Sequence, residues 1–158
     1  MFRDEMATKR KPNLRGSSTA TVDQQGRLKI PTKFKEILVK SYGYDFFITS
    51  LTGDNVFAYP LSVWEAHEER LIKTASLNSP RRKYLDRVNY YGLEVSMDKQ
   101  GRILIPATLR DSAAIQGELR VIGKIDHLDI WNEQRFARTL KEETVTEEDL
   151  LRLSDLGI

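Results

Sequence analysis

Residues 22–31 read VDQQGRLKIP, and residues 97–106 read MDKQGRILIP. Six letters coincide in order (Asp, Gln, Gly, Arg, Ile, Pro), and Asp98 follows Asp23 at a distance of 75 positions. In a chain of 158 residues such a repeat means that one structural unit is built twice. The surroundings repeat as well. TATVD and RLKIP alternate β-branched or aliphatic residues with polar ones on either side of QQG, the pattern of a hairpin, and EVSMD and RILIP do the same in the second copy. A short amphipathic helix follows each phrase. TKFKEILVK sets Phe34, Ile37 and Leu38 on one face, with Pro31 expected in its first turn, and PATLRDSAA holds the matching place. Two strands come next in each half, YDFFITSL and NVFAYP, then ELRVIGK and HLDIW.

Between the copies, LSVWEAHEERLIKTASL has helical spacing through Val63, Trp64, Ala66, Leu71 and Ile72. SPRRKYLDRVNYYG, residues 79–92, predicts a second helix started by Ser79 and Pro80 and stopped by Gly92. Its Tyr84, Val88 and Tyr91 lie at spacings of four and three, which favours a core stripe over a base-stacking platform, with Arg81, Arg82, Lys83 and Arg87 on the solvated side. NEQRFARTLKEE, capped by Asn132, closes the second half, and TEEDLLRLSDLG is a last helix in which Thr146 and Asp149 have the spacing of a capping box. Residues 6–18 are polar, basic and broken by Pro and Gly, so ordered structure is expected from about Thr19. The expected organisation is a basic arm or insertion (1–18), a first repeat (19–65), a helical connector (66–92), a second repeat (93–136) and an acidic helical tail (137–158).

With 40% hydrophobic residues and 14 aromatic ones, the chain can bury a real core. It has no cysteine, which excludes disulfides, thiolate metal sites and a cysteine nucleophile and agrees with a cytoplasmic location. Neither a signal peptide nor a membrane span is expected, because no long apolar run occurs. The net charge of +2 is unevenly spread: the first 15 residues are basic and the last 18 acidic, so an anionic partner is expected at one end only.

The repeated phrase admits two readings. As pure architecture, Gly26 and Gly101 supply a positive φ angle to a tight turn, Asp caps it and Arg pairs with the Asp. That reading does not require arginine twice. An arginine at the mouth of a turn, oriented by an Asp four residues earlier, is a fork of donors suited to phosphate or to the O6 and N7 edge of guanine. Lys29, Lys33 and Lys35 near the first phrase, and Lys99 and Arg110 near the second, add positive charge suited to duplex DNA.

The doubled D-x-x-G-R phrase, followed by an aliphatic residue, Ile, Pro and a basic amphipathic helix, resembles the SpoVT/AbrB swapped-hairpin domain. Two copies in one chain resemble the MraZ family of transcriptional regulators. The likeness extends to the opening MF, the AYP before a Trp-bearing helix, the VIGKIDHLDIW run and the acidic tail, and omits residues 6–18. Gln25 and Gln100 stand where the family often has Lys; an amide there can read adenine but attracts phosphate less at long range. The resemblance implies an α+β, mainly β fold in which two interlocked halves form a pseudo-twofold, double-psi-like small barrel with peripheral helices. It also implies a homo-oligomeric closed ring, associated with the nucleoid, that binds short direct repeats in the promoter of the division and cell-wall operon containing its own gene, as a repressor. The resemblance matches Asp23, Arg27, Asp98 and Arg102 to the family's motif; with Gln25, Lys29, Lys99 and Gln100, read from their own chemistry beside it, they make up the expected DNA-binding residues. No cofactor or metal is expected.

An enzyme is disfavoured, because no H-E-x-x-H, phosphate-loop or G-x-S-x-G phrase accompanies the two histidines, His67 and His127. Asp126, His127 and Asp129 are better read as a turn than as a metal cluster, since adjacent strand residues face opposite ways. An antitoxin or other protein-interaction module stays open through the acidic tail, although the second complete copy argues against it. A structural ring that binds no DNA is a further alternative.

Overall fold

The computed structural model describes residues 10–74 and 79–158. Among them are eight strands and six helices: β1 (Ser17–Ala20), β2 (Arg27–Lys29), α1 (Thr32–Ser41), β3 (Asp45–Thr49), β4 (Val56–Pro60), α2 (Leu61–Ile72), α3 (Ser79–Tyr90), β5 (Leu93–Ser96), β6 (Arg102–Leu104), α4 (Ala107–Ser112), β7 (Leu119–Gly123), β8 (Leu128–Asn132), α5 (Glu133–Glu142) and α6 (Glu147–Asp155). The fold class is α+β, with antiparallel strand pairing throughout. No helix among the described residues is long and apolar enough to cross a membrane.

The strands form a six-stranded sheet, β1-β7-β8-β4-β3-β5, and a separate two-stranded ribbon, β2-β6. Exchanging each strand for its counterpart in the other copy turns the sheet order into its own reverse. β4 and β8 meet at the centre, with Val56 opposite Ile130, and the ribbon pairs Leu28 with Ile103. The outer strands cross over: β1 of the first copy pairs with β7 of the second, and β5 of the second with β3 of the first.

This corrects the expected hairpins. TATVD and RLKIP do flank a tight turn, yet beyond the Val22–Leu28 bridge their strands separate, β1 to β7 and β2 to β6. Local alternation locates a turn, but the choice of strand partner is made by burial against distant chain. Nor do the hydrogen-bonded strands close into a barrel among the described residues, where β1 and β5 are the edges of the sheet and β2-β6 stands apart.

One core serves both copies. Leu28, Ile30, Phe34 and Leu38, each at most 1% exposed, have counterparts 75 positions later in Ile103, Ile105, Leu109 and Ala113, all fully buried. They pack with Phe46, Ile48, Val121 and Ile130 of the sheet in a single cluster. Helices α1, α2 and α4 each start directly after a proline. Pro31 thus precedes the first turn instead of lying in it, and its carbonyl accepts hydrogen bonds from Phe34 and Lys35. Of the apolar positions expected on α2, only Trp64 is buried, stacked on Phe47 at 4.8 Å; Ile72 is exposed. Residues 75–77 of the expected helix fall outside the described residues. α3 docks as expected: Val88 is buried, its carbonyl accepts from Thr49 Oγ1 at 2.6 Å, and the Tyr84 hydroxyl meets His67 Nε2 at 2.8 Å. Structure begins earlier than Thr19, because Leu14 is 1% exposed and exchanges hydrogen bonds with Ile125. A single apolar residue among basic and polar neighbours shows no period by which sequence could mark it.

Candidate nucleic-acid interface

Each repeated phrase folds into the same turn. Asp23 N–H donates to the Arg27 carbonyl at 2.9 Å, and Gly26 N–H to the Asp23 carbonyl at 3.0 Å; the corresponding bonds at Asp98, Arg102 and Gly101 have the same lengths. The Asp side chain completes the loop. Asp23 Oδ1 accepts from the backbone N–H groups of Gln25 and Arg27, both at 2.9 Å, and Oδ2 accepts from Arg27 Nε at 3.1 Å. Asp98 receives Gln100, Arg102 and Arg102 Nε in the same way, each at 2.9 Å. The turn needs a left-handed residue at its fourth position, and Gly26 (φ 82°) and Gly101 (φ 79°) supply it.

Pairing of β2 with β6 sets the turns side by side. Ile30 N–H donates to the Gly101 carbonyl and Ile105 N–H to the Gly26 carbonyl, both at 2.9 Å, so each turn is held by the strand end of the other copy. The charged groups then meet. Arg102 Nη1 lies 3.5 Å from Asp23 Oδ2, and Arg27 Nη1 lies 3.9 Å from Asp98 Oδ2. Two acids and two arginines alternate in a closed circuit, their side chains a quarter to a third exposed. Both carboxyl groups titrate below their ordinary value of 3.8, first because the backbone N–H of the arginine four residues on donates to the ionised form. Burial opposes the shift, and the remaining hydrogen bonds and arginine charge reinforce it.

Asp23, Arg27, Asp98 and Arg102 are therefore brought together. Gln25, Gln100, Lys99 and Lys29 are exposed around them, with Lys29 opposite Arg102 in the ribbon register. Arg110 and Lys35, expected from the sequence as added positive charge near the phrases, belong with the site itself. A Cβ at Gly26 would meet Arg110 Cζ at 2.5 Å, and one at Gly101 would meet Lys35 Cδ at 2.9 Å. Each copy's helix thus lays a basic side chain over the other copy's turn. The signal was present, since each is the fourth residue after its proline, but the crossing of copies is not written locally.

Elsewhere, Asp126 pairs with His127 Nδ1 at 2.8 Å, while Asp129 is buried and accepts from Asn55 Nδ2 at 2.6 Å. Asp126, His127 and Asp129 do not converge, and no group of three or more His, Cys, Asp and Glu suited to a metal occurs among the described residues.

A family model described as "MraZ protein, putative antitoxin-like" matches residues 93–153. Curated relatives similar over nearly the whole chain include the transcriptional regulator MraZ of Acidobacterium capsulatum, 41% identical over 144 residues, covering 91% of this chain and 99% of that protein. The protein of the same name from Koribacter versatilis is 41% identical over 145 residues, with the same coverage of both chains. That of Caldicellulosiruptor saccharolyticus is 34% identical over 144 residues, covering 90% of this chain and 98% of the relative.

Proposed function

The chain belongs to the MraZ family of transcriptional regulators, and from that premise we propose that it regulates transcription by binding promoter DNA through its paired Asp–Arg turns. The observation that carries this reading is the pairing itself: two turns with the same hydrogen-bond pattern, 75 residues apart in sequence, held side by side. Each Asp holds its arginine by Nε, which fixes the guanidinium plane, whereas among the described residues the Nη groups make the longer cross contacts. A phosphate or guanine edge that offers shorter contacts competes well with them. The four ring charges cancel, so long-range attraction for DNA falls to Lys29, Lys99, Lys35 and Arg110, while Gln25 and Gln100 offer amides to adenine.

The strand crossing supports two interlocked swapped-hairpin halves as the evolutionary plan of the fold. One pair of turns spans too few bases to select a site in a genome, since a good bidentate contact discriminates by about 1–3 kcal/mol. Several pairs on a closed ring of protomers, engaging short direct repeats, multiply that selectivity through effective concentration. In this role the protein acts in the cytoplasm at the nucleoid, as a repressor of the division and cell-wall operon containing its own gene. The antitoxin-like description of the family model favours a second reading, a toxin-covering tail, but α6 is a capped helix and no flexible segment of that kind.

Fluorescence anisotropy tests the proposal with labelled duplex from upstream of the protein's own gene against a scrambled duplex, across a salt series. A preference of about 10³ or more, lost in Arg27→Ala/Arg102→Ala, is expected. Equal weak binding to both duplexes refutes it.

A further inference from the structure

The C-terminal helix α6 is built and left uncovered. Thr146 Oγ1 accepts from Asp149 N–H at 3.1 Å and Thr146 N–H donates to Asp149 Oδ2 at 2.9 Å, a complete capping box. Yet no residue of the helix is buried. Leu150 and Leu151 are 57% and 67% exposed, and Leu153, Leu156 just past the helix end and Ile158 are exposed as well. Nine helical residues are marginal by themselves in water, so a helix of this length that buries no side chain among the described residues draws its stability from elsewhere. Its polar side is acidic: Glu147, Glu148, Asp149 and Asp155 against Arg152.

The complementary surface lies on α3. Arg81, Arg82, Lys83 and Arg87 outnumber Asp86 there. Lys83, Arg87 and Tyr90, at helical spacing on its outer side, line an open groove of about 480 Å³ with Asp86 and Tyr91. Tyr90 is 71% exposed, its ring set edge-on to Tyr91 at 5.0 Å. An aromatic floor flanked by cations suits a helix with leucines on one side and carboxylates on the other.

We propose that α6 of each chain docks into the α3 groove of a second copy, leucines against Tyr90 and acids against Lys83 and Arg87, as the protomer contact of the assembly. The inference rests on the ring reading above and supplies its interface. Two different surfaces of one chain make the contact, so it is head-to-tail and propagates until it closes on itself. Because it is partly ionic, it weakens as salt rises.

Sedimentation velocity on three full-length proteins tests this: the natural chain, Leu150→Asp/Leu151→Asp, and Lys83→Glu/Arg87→Glu, with circular dichroism to verify folding of the exposed-site variants. The natural chain is expected at a multiple of its 18.2 kDa mass and each variant alone at 18.2 kDa. An equimolar mixture of the variants holds one intact α6 and one intact α3 per pair, so it is expected to form two-chain complexes and nothing larger. Retention of the natural mass by either variant alone overturns the assignment while leaving the ring reading intact. Loss of DNA affinity by the α3 variant with its assembly unchanged also overturns it, making α3 a DNA surface. A natural chain that sediments at 18.2 kDa refutes the ring reading itself.

Discussion

At the scale of single residues, the Asp–Arg circuit separates what holds the turn from what reads a ligand. Asp23 and Asp98 close their loops through backbone N–H groups, so the arginine side chains are dispensable for the turn itself. Arg27→Ala or Arg102→Ala is expected to leave the far-ultraviolet spectrum native and to weaken specific DNA binding by about 1–3 kcal/mol each, read by anisotropy titration. The glycines behave in the opposite way. Alanine at Gly26 must adopt φ near 82° and displace Arg110, whose Nε is tied to the Ile105 carbonyl at 3.1 Å. A left-handed alanine costs roughly 1–2 kcal/mol, a fall in melting temperature of about 2–8 °C at about 2–4 °C per kcal/mol in a domain of this size. Gly101→Ala should cost less, because Lys35 can swing aside, and thermal melts of the two variants test the order. Asp, Gly and Arg could all be assigned from the phrase alone, since an Asp-capped turn with a left-handed glycine is local chemistry.

Elements were legible where the cause was local and illegible where it was not. The periodicity of TKFKEILVK, the Asn132 cap of α5 and the Thr146 capping box of α6 all appear where the sequence places them. Strand partnership does not, because TATVD carries no information on whether RLKIP or LRVIG lies beside it; only burial against the shared core decides. The contact between α2 and α3 carries a pH dependence. Burial first, then the Arg70 charge, holds His67 below its ordinary value of 6.5, although Asp126 and Glu68 pull the other way. On acidification the unfolded chain takes up this proton before the folded one does. The stabilising contribution is therefore present above about pH 6.5 and is lost as pH falls through the lower folded value. Hydrogen exchange across 79–90 should quicken below that point, and His67→Gln should flatten the dependence. Thr146→Ala removes a cap worth about 1 kcal/mol to its helix. In the unassembled chain it should raise exchange over 147–155 with little change in global melting, since α6 has no buried residue among the described ones.

For the whole molecule, the two copies cannot come apart as domains. Trp64 belongs to the first and Trp131 to the second, yet their strands share one sheet and one core. Single-tryptophan variants, Trp64→Phe and Trp131→Phe, should report the same urea midpoint, and separated transitions would contradict the shared core. The crossed strand order also bears on how the protein is made. When β1 leaves the ribosome its neighbour β7 is still about 100 codons from translation, a delay on the order of 5–20 s at typical synthesis rates. The first copy of the phrase therefore waits, half-made and with its strand edges open, for the second to be written.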